Sequence, residues 1–211
     1  MNRDPYQNFA NKYDKYVEPF NSVVRQIAMS MFPPQKGMVV LDVGCGTGTN
    51  LSLYQRAGCK VFGIDLSLSM LEVARIKLST RANLIQGDAS EMPYPNNFFN
   101  IIIAFLTLHE MPGYIRAEVM DEMTRILKHD GRILLVDYHP GPIRFPKGWW
   151  YKTVILTFEI LAGREHFINY RDFLGKHGIP GLIDSQKLNV EKKKIISKGN
   201  LALFLINLKQ D

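Results

Sequence analysis

The sequence predicts an α/β fold, a mostly parallel sheet wound on both sides by helices, and three observations predict it. Short, continuously apolar runs alternate with amphipathic stretches along most of the chain. The first of these runs opens into a glycine-rich stretch, VVLDVGCGTGTN at 39–50. The chain then closes on two strand-like segments with no helix between them. Strands apolar on consecutive residues suit a parallel sheet covered on both faces, and their alternation with helices is βαβ winding.

The elements follow in order. The N-terminal MNRDPYQNFANKYDKY is polar, is broken by Pro5 and has no apolar core of the kind a secretory signal needs, so a cytoplasmic protein is expected. A helix is predicted from Val17 to Met31. Strands are predicted at Val39 to Val43, Lys60 to Ile64, Asn83 to Gln86, Phe99 to Phe105 and Arg132 to Asp137. Helices fall between them at Gly48 to Ala57, Leu68 to Leu78 and Gly113 to Leu127, the last with Ala117, Met120, Met123, Ile126 and Leu127 at helical spacing. At the end, NVEKKKIIS and NLALFLINL are separated only by the turn around Lys198-Gly199, which forces an antiparallel hairpin. No repeat, low-complexity tract or linker divides the 211 residues, 46% of them hydrophobic, so one domain over 1–211 is expected.

Composition excludes several classes. Cys45 and Cys59 are too few for a disulfide framework, and neither belongs to a CxxC pair. The net charge of +6 is spread along the chain, and its densest run is Glu191-Lys192-Lys193-Lys194. That run reads as a strand edge defended by lysines rather than a phosphate contact, so no nucleic-acid partner is expected.

The glycines are spaced Gly44-x-Gly46-x-Gly48, and Thr49 stands where a dinucleotide fingerprint would carry its third glycine. The loop therefore suits close passage beneath a nucleoside more than a diphosphate cradle, and a nicotinamide oxidoreductase is disfavoured. Asp65 ends the second strand 21 residues after Gly44, where a carboxylate can accept hydrogen bonds from both ribose hydroxyls. Asp88 ends the third strand at the same edge, within reach of an adenine. Either aspartate alone could be a turn or helix cap. The ordered set Asp42, Gly44, Gly46, Gly48, Asp65 and Asp88 is far more specific.

With LDVGCGTGTN, GIDLSLSMLEVA, GDASEMPYPNNFFNIIIAF and LKHDGRILLVDY in that order, the chain from about Phe9 to its end resembles the class I S-adenosylmethionine-dependent methyltransferases. FANKYDKY and FEILAGREHFINYRDFLGKHGIPGLI further resemble the ubiquinone/menaquinone-biosynthesis C-methyltransferase branch. The resemblance implies a Rossmann-like, doubly wound, seven-stranded sheet, its last strand antiparallel, with helices on both faces. It implies S-adenosylmethionine as cofactor, with S-adenosylhomocysteine as product. Gly44, Gly46 and Gly48 would lie under its methionine and ribose, with Asp42 near the amino group through water. Asp65 would hold the ribose, Leu66 and Met70 would rest against adenine or ribose, and Asp88 with the Ala89 amide would read the adenine edge. The backbone at Phe105 would touch the methionine end. Residues 1–36, with Phe9, Tyr13 and Tyr16, would form a lid, and 140–186 a substrate cover.

A sulfonium methyl is already activated, so the protein must mainly align an acceptor for in-line displacement. A base is needed only where the acceptor carries a proton. His109, after the fourth strand, is the catalytic candidate, followed by Asp137, Tyr138 and His139, with Tyr170 joining if a ring phenolate must form. Cys45 reads as a packing residue. The His109-Glu110 pair lacks a second histidine at zinc-helix spacing, no other ligand cluster stands out, and no metal is expected.

The acceptor is expected to be a small molecule, lipophilic or aromatic and quinone-like. The stretch AFLTLHE lacks the Asn/Asp-Pro-Pro-Tyr/Phe motif of methyltransferases acting on exocyclic amines of DNA bases. Another small O or N acceptor, or a noncatalytic binding module on the same fold, are the alternatives. The run from Thr153 to Gly163 is too short to span a bilayer. Trp149, Trp150 and Tyr151 could touch a membrane surface peripherally, but packing against the sheet is the favoured expectation. The oligomeric state is open.

Overall fold

The computed structural model describes residues 4, 6–7, 9–183 and 188–209. A long helix α1 (Ala10–Met31) leads into β1 (Val39–Val43), α2 (Thr49–Arg56), β2 (Lys60–Asp65), α3 (Leu68–Leu78), β3 (Ala82–Gln86) and β4 (Phe99–Phe105). Then come α4 (Gly113–Ile126), β5 (Leu127–Tyr138), three helices α5 (Lys147–Leu161), α6 (Arg164–Gly175) and α7 (Ile179–Ile183), and the hairpin β6 (Leu188–Ile196) and β7 (Leu201–Leu208). The strands form one seven-stranded sheet in the order β3-β2-β1-β4-β5-β7-β6. Pairings among β1 to β5 are parallel, and β7 is antiparallel to both its neighbours. The predicted seven-stranded sheet is present.

Successive strand residues supply opposite faces of the sheet. Leu41 and Ile102 face one way, toward Val119, Met123 and Ile126 of α4. Val40, Ile101 and Ile103 face the other, toward Val24 and Ala28 of α1, Leu51 and Tyr54 of α2, and Leu71 and Ala74 of α3. With both faces buried, β1 and β4 must be apolar on consecutive residues, and each such side chain contributes about 1.5–3 kcal/mol. Strand order reverses between β1 and β4, which opens a crevice at their carboxyl ends.

Several boundaries differ from expectation. Helix α1 starts at Ala10 rather than Val17 and runs through Pro19. On α4, Ala117 faces outward, while Val119 and the charged Arg116 are buried. Arg116 is accommodated by an ion pair with Asp172 and by the Phe173 ring, 5.3 Å from its guanidinium carbon. Trp149, Trp150 and Tyr151 do not pack against the sheet: they are 57%, 68% and 41% exposed. The lysine run was read correctly as a strand edge, since β6 is the outermost strand and almost all of it faces solvent. No helix among the described residues is long and apolar enough to cross a membrane.

Candidate active site

The loop after β1 is bare for more than one reason. A Cβ on Gly44 (φ +65°) would fall 2.1 Å from Thr107 Oγ1 in the loop after β4, and one on Gly48 would fall 2.8 Å from Leu78 of α3. Protein therefore occupies the space beside these two glycines. A Cβ on Gly46 would meet nothing within 4 Å, so it borders open space at the crevice. Cys45 is buried, its sulfur 2.8 Å from where a Gly63 Cβ would stand, and burial beside Asp65 pushes its thiol pKa up, as suits a packing residue.

The aspartates divide into different environments. Asp42 is fully buried at the end of β1; its Oδ2 accepts from Asn50 Nδ2 at 3.1 Å, while Oδ1 has no hydrogen-bond partner among the described residues. Burial pushes its pKa up to about 7, against the pull of Arg25 and Asn50. Asp65 accepts from the Gly46 N–H at 2.7 Å and the Ser67 N–H at 2.8 Å, and burial raises its pKa too. Leu66, beside it, is 69% exposed, whereas Met70 and Ala89 are buried. Asp88 is exposed, and its Oδ1 accepts from the Ser90 N–H and hydroxyl at 2.9 and 2.8 Å, the local turn bond open to any aspartate there. The Phe105 ring is buried, with the Arg25 guanidinium 4.1 Å from its centre.

The N-terminal segment crosses this edge on three ties. The Asp4 carboxylate accepts from the Ser67 hydroxyl and the Ser69 N–H, at 2.9 and 3.0 Å. The Tyr6 hydroxyl donates to Glu110 at 3.1 Å, and Asp14 accepts from the Thr47 hydroxyl and pairs with Lys77, both at 2.6 Å. Tyr13 is half-buried with its ring edge-on to those of Tyr6 and Phe9, whereas Tyr16 points outward, 53% exposed. Asp4, Tyr6, Asp14 and Arg25 carry no motif, and the sequence reading missed them.

On the other side of the crevice, Asp137 at the end of β5 accepts from the N–H groups of Leu108 and His109 and lies 2.7 Å from His109 Nδ1. One carboxylate thus fixes both the turn and the imidazole. Burial disfavours the charged imidazole, but the Asp137 carboxylate with its hydrogen bond, aided by Glu110 and Glu159, outweighs it and pushes the pKa up to about 9. Around His109 stand the rings of Tyr138, His166 and Tyr170, at 4.5, 5.6 and 6.2 Å between centroids. Glu159 reaches in from α5, with Oε1 3.7 Å from His109 Nε2 and Oε2 2.9 Å from His166 Nε2. This overturns the expectation of no ligand cluster, because His109, Glu159 and His166 lie on separate elements and share no spacing pattern. His139 is not part of it: its Nδ1 accepts from the Gly141 N–H at 3.1 Å and lies against the Gly199 carbonyl.

A crevice at a strand-order reversal, with an open glycine face, the buried Asp42 and the half-buried Asp65 on one side and a buried histidine–aspartate pair on the other, suits a nucleoside-dependent group-transfer fold. Residues 41–135 match the family model described as a methyltransferase domain. The demethylmenaquinone methyltransferase of Bacillus mycoides (strain KBAB4) is 30% identical over 181 residues, 77% of this chain and 74% of that one. The chain belongs to the class I S-adenosylmethionine-dependent methyltransferases, on the branch that holds such relatives. The demethylmenaquinone methyltransferase of Staphylococcus aureus (strain MRSA252) is 35% identical over 141 residues, 63% of this chain. This chain spans 58% of that relative's length. A SAM-dependent methyltransferase from Aquifex aeolicus shares the fold at a TM-score of 0.63 and 19% identity, over 94% of this chain and 98% of that one.

Proposed function

We propose that this chain transfers a methyl group from S-adenosylmethionine to a small lipophilic or aromatic, quinol-like acceptor. One observation carries the reading: the open Gly46 face with Asp65 and the buried His109–Asp137 pair both stand at the carboxyl ends of the parallel strands, on either side of the strand-order reversal. When bound, the cofactor supplies a sulfonium-activated methyl.

The residues present fit that cofactor. The unpartnered Oδ1 of Asp42 offers an acceptor for the amino group through water, and the space at Gly46 admits the methionine and ribose portions. Each Asp65 oxygen already takes one backbone N–H, and the remaining lone pairs suit ribose hydroxyls. Leu66, Met70, Asp88 and the Ala89 amide would surround the adenine, with Gly44, Gly48 and Phe105 supporting the methionine end. Residues 1–36, tied down through Asp4, Tyr6 and Asp14, act as a lid that excludes water. Held orientation of this kind is worth on the order of 7–11 kcal/mol.

At the acceptor, His109 holds a proton at neutral pH between carboxylates. It therefore stabilises a developing phenolate oxygen by charge, while Asp137 keeps the ring aimed. A groove of about 290 Å³ between α5 and α6, lined by Lys152, Leu156, Phe167, Tyr170, Arg171 and Leu174, ends on a ring of the His109 cluster and suits a lipophilic acceptor. The exposed Trp149 and Trp150, with Lys147 and Lys152 nearby, support peripheral contact with a membrane from which such an acceptor would come. The names of the two curated relatives point to the same acceptor class.

The test is calorimetric titration with S-adenosylmethionine and S-adenosylhomocysteine, followed by labelled-methyl transfer to lipophilic phenols and quinols. Binding near micromolar, about 8 kcal/mol, with label on a quinol ring is expected. Absence of binding to either nucleoside would leave the noncatalytic alternative, and label on a simple O or N acceptor would replace the quinol.

A further inference from the structure

The geometry points to a divalent metal site of the zinc class, formed by His109 Nε2, the Glu159 carboxylate and His166 Nε2. These three donors come from the turn after β4, from α5 and from α6, and all lie within 4.8 Å of one another. Around a tetrahedral ion with bonds of about 2.0–2.1 Å, donors stand about 3.3 Å apart. His109 Nε2 lies 3.7 Å from Glu159 Oε1 and His166 Nε2 lies 2.9 Å from Glu159 Oε2, so each imidazole faces one oxygen of the carboxylate at close to that spacing.

The surroundings fit ligation in three ways. Asp137, 2.7 Å from His109 Nδ1, occupies that nitrogen and turns Nε2 toward Glu159, where an ion would take the place of the Nε2 proton, the carboxylate–histidine arrangement found behind metal-bound imidazoles. Glu159 is 4% exposed on a helix whose neighbouring Phe158, Ile160 and Leu161 face solvent, and a carboxylate is turned inward at a cost unless it is paired or coordinating. Its carboxylate already meets His166 Nε2 at 2.9 Å and the Tyr138 hydroxyl, which together hold its pKa down against burial, so it stands ionised among these groups. Nearby Lys152 is engaged with the Tyr170 hydroxyl. Asp137, Glu159 and Glu110 set three carboxylates against two imidazoles and the Lys152 ammonium.

Two imidazoles and one carboxylate leave a fourth position open, as in zinc sites that act on substrate. If the methyltransferase reading holds, an acceptor hydroxyl in that position would give up its proton to water more readily, and the phenolate so formed would make its ring carbon the nucleophile toward the methyl. That role rests on the proposed function; metal binding itself does not.

The test uses the full chain, stripped with a chelator, titrated with Zn²⁺ and with Co²⁺ as a spectroscopic probe, and assayed for retained metal after gel filtration. About one Zn²⁺ per chain and the visible absorption of low-coordinate Co²⁺ are expected. Glu159→Gln and His166→Gln should each weaken binding at least about tenfold, and Asp137→Asn about 10- to 100-fold. Far-UV circular dichroism and S-adenosylmethionine affinity, measured on the same samples, should match wild type for Glu159→Gln and His166→Gln. A wild-type chain that retains no ion, or folded variants that bind as wild type does, would overturn the site. Zinc binding without nucleoside binding would sink the methyltransferase reading and leave the site standing.

Discussion

The two walls of the crevice are built differently. On the β1–β2 wall the groups that define the pocket are mainly backbone, with Asp65 gripping the N–H groups of Gly46 and Ser67 over a short span of chain. On the β4–β5 wall they are side chains from distant segments: His109, Asp137, Glu159, His166 and Tyr170 converge from three elements and a turn. A wall of backbone keeps its shape through most substitutions, whereas a wall of converging side chains depends on how each helix of the cover packs. The first suits a ligand that never changes, and the second an acceptor that can.

Substitutions on each side should separate the walls. His109→Ala should lower the rate of methyl transfer by about 10²-fold to 10⁴-fold with little change in nucleoside affinity, read by steady-state kinetics beside calorimetry. Asp65→Ala should do the reverse. Loss of charge-assisted bonds worth about 1.5–3 kcal/mol predicts nucleoside binding weakened about 10- to 100-fold, and a change within twofold would put the pocket elsewhere.

Smaller effects test the lid and the buried carboxyl. Tyr13→Ala, which removes the edge contacts with Tyr6 and Phe9, should weaken binding or slow transfer about threefold to tenfold on loss of roughly 1 kcal/mol, without unfolding the chain. Asp42 has a raised folded pKa of about 7, so the native state holds a proton that the unfolded chain releases. Its contribution to stability is therefore full below the unfolded value near 4, falls as pH rises toward about 7 and is lost above it. Nucleoside binding should strengthen over the upper part of that window as the carboxylate forms, and Asp42→Asn should flatten both curves. Least of all, Trp150→Ala should shift stability by no more than about 0.5 kcal/mol while reducing retention on anionic vesicles.

Most of the fold was legible because its signals are local. Consecutive apolar residues mark β1 and β4, the short turn at 197–199 dictates the final hairpin, and Gly44 to Asp65 keep their order along the chain. Helix α1 begins seven residues before the predicted start, and its early part is held by Asp14, bound to Thr47 and Lys77, a tertiary tie that apolar periodicity does not reveal. Glu159 lies unmarked inside the apolar run from Thr153 to Gly163, since its partners His109 and His166 adjoin it only after α5 and α6 fold back. Trp149 and Trp150 were expected inside because apolar residues usually are, and nothing in the local periodicity marks their 57% and 68% exposure.

The contact between Gly44 and Thr107 carries a consequence for how the sequence can drift. Position 44 is closed twice over, by its left-handed backbone and by a hydroxyl 2.1 Å from where a methyl group would stand, so shortening Thr107 relieves only half of the restriction. Two residues along, position 46 has the same backbone hand and open space, and an asparagine would fit until a ligand arrived. Within three residues the chain passes from a site frozen by its own architecture to one frozen only by what it binds. A library randomised at both positions and screened first for folding, then for nucleoside affinity, would separate those two kinds of invariance.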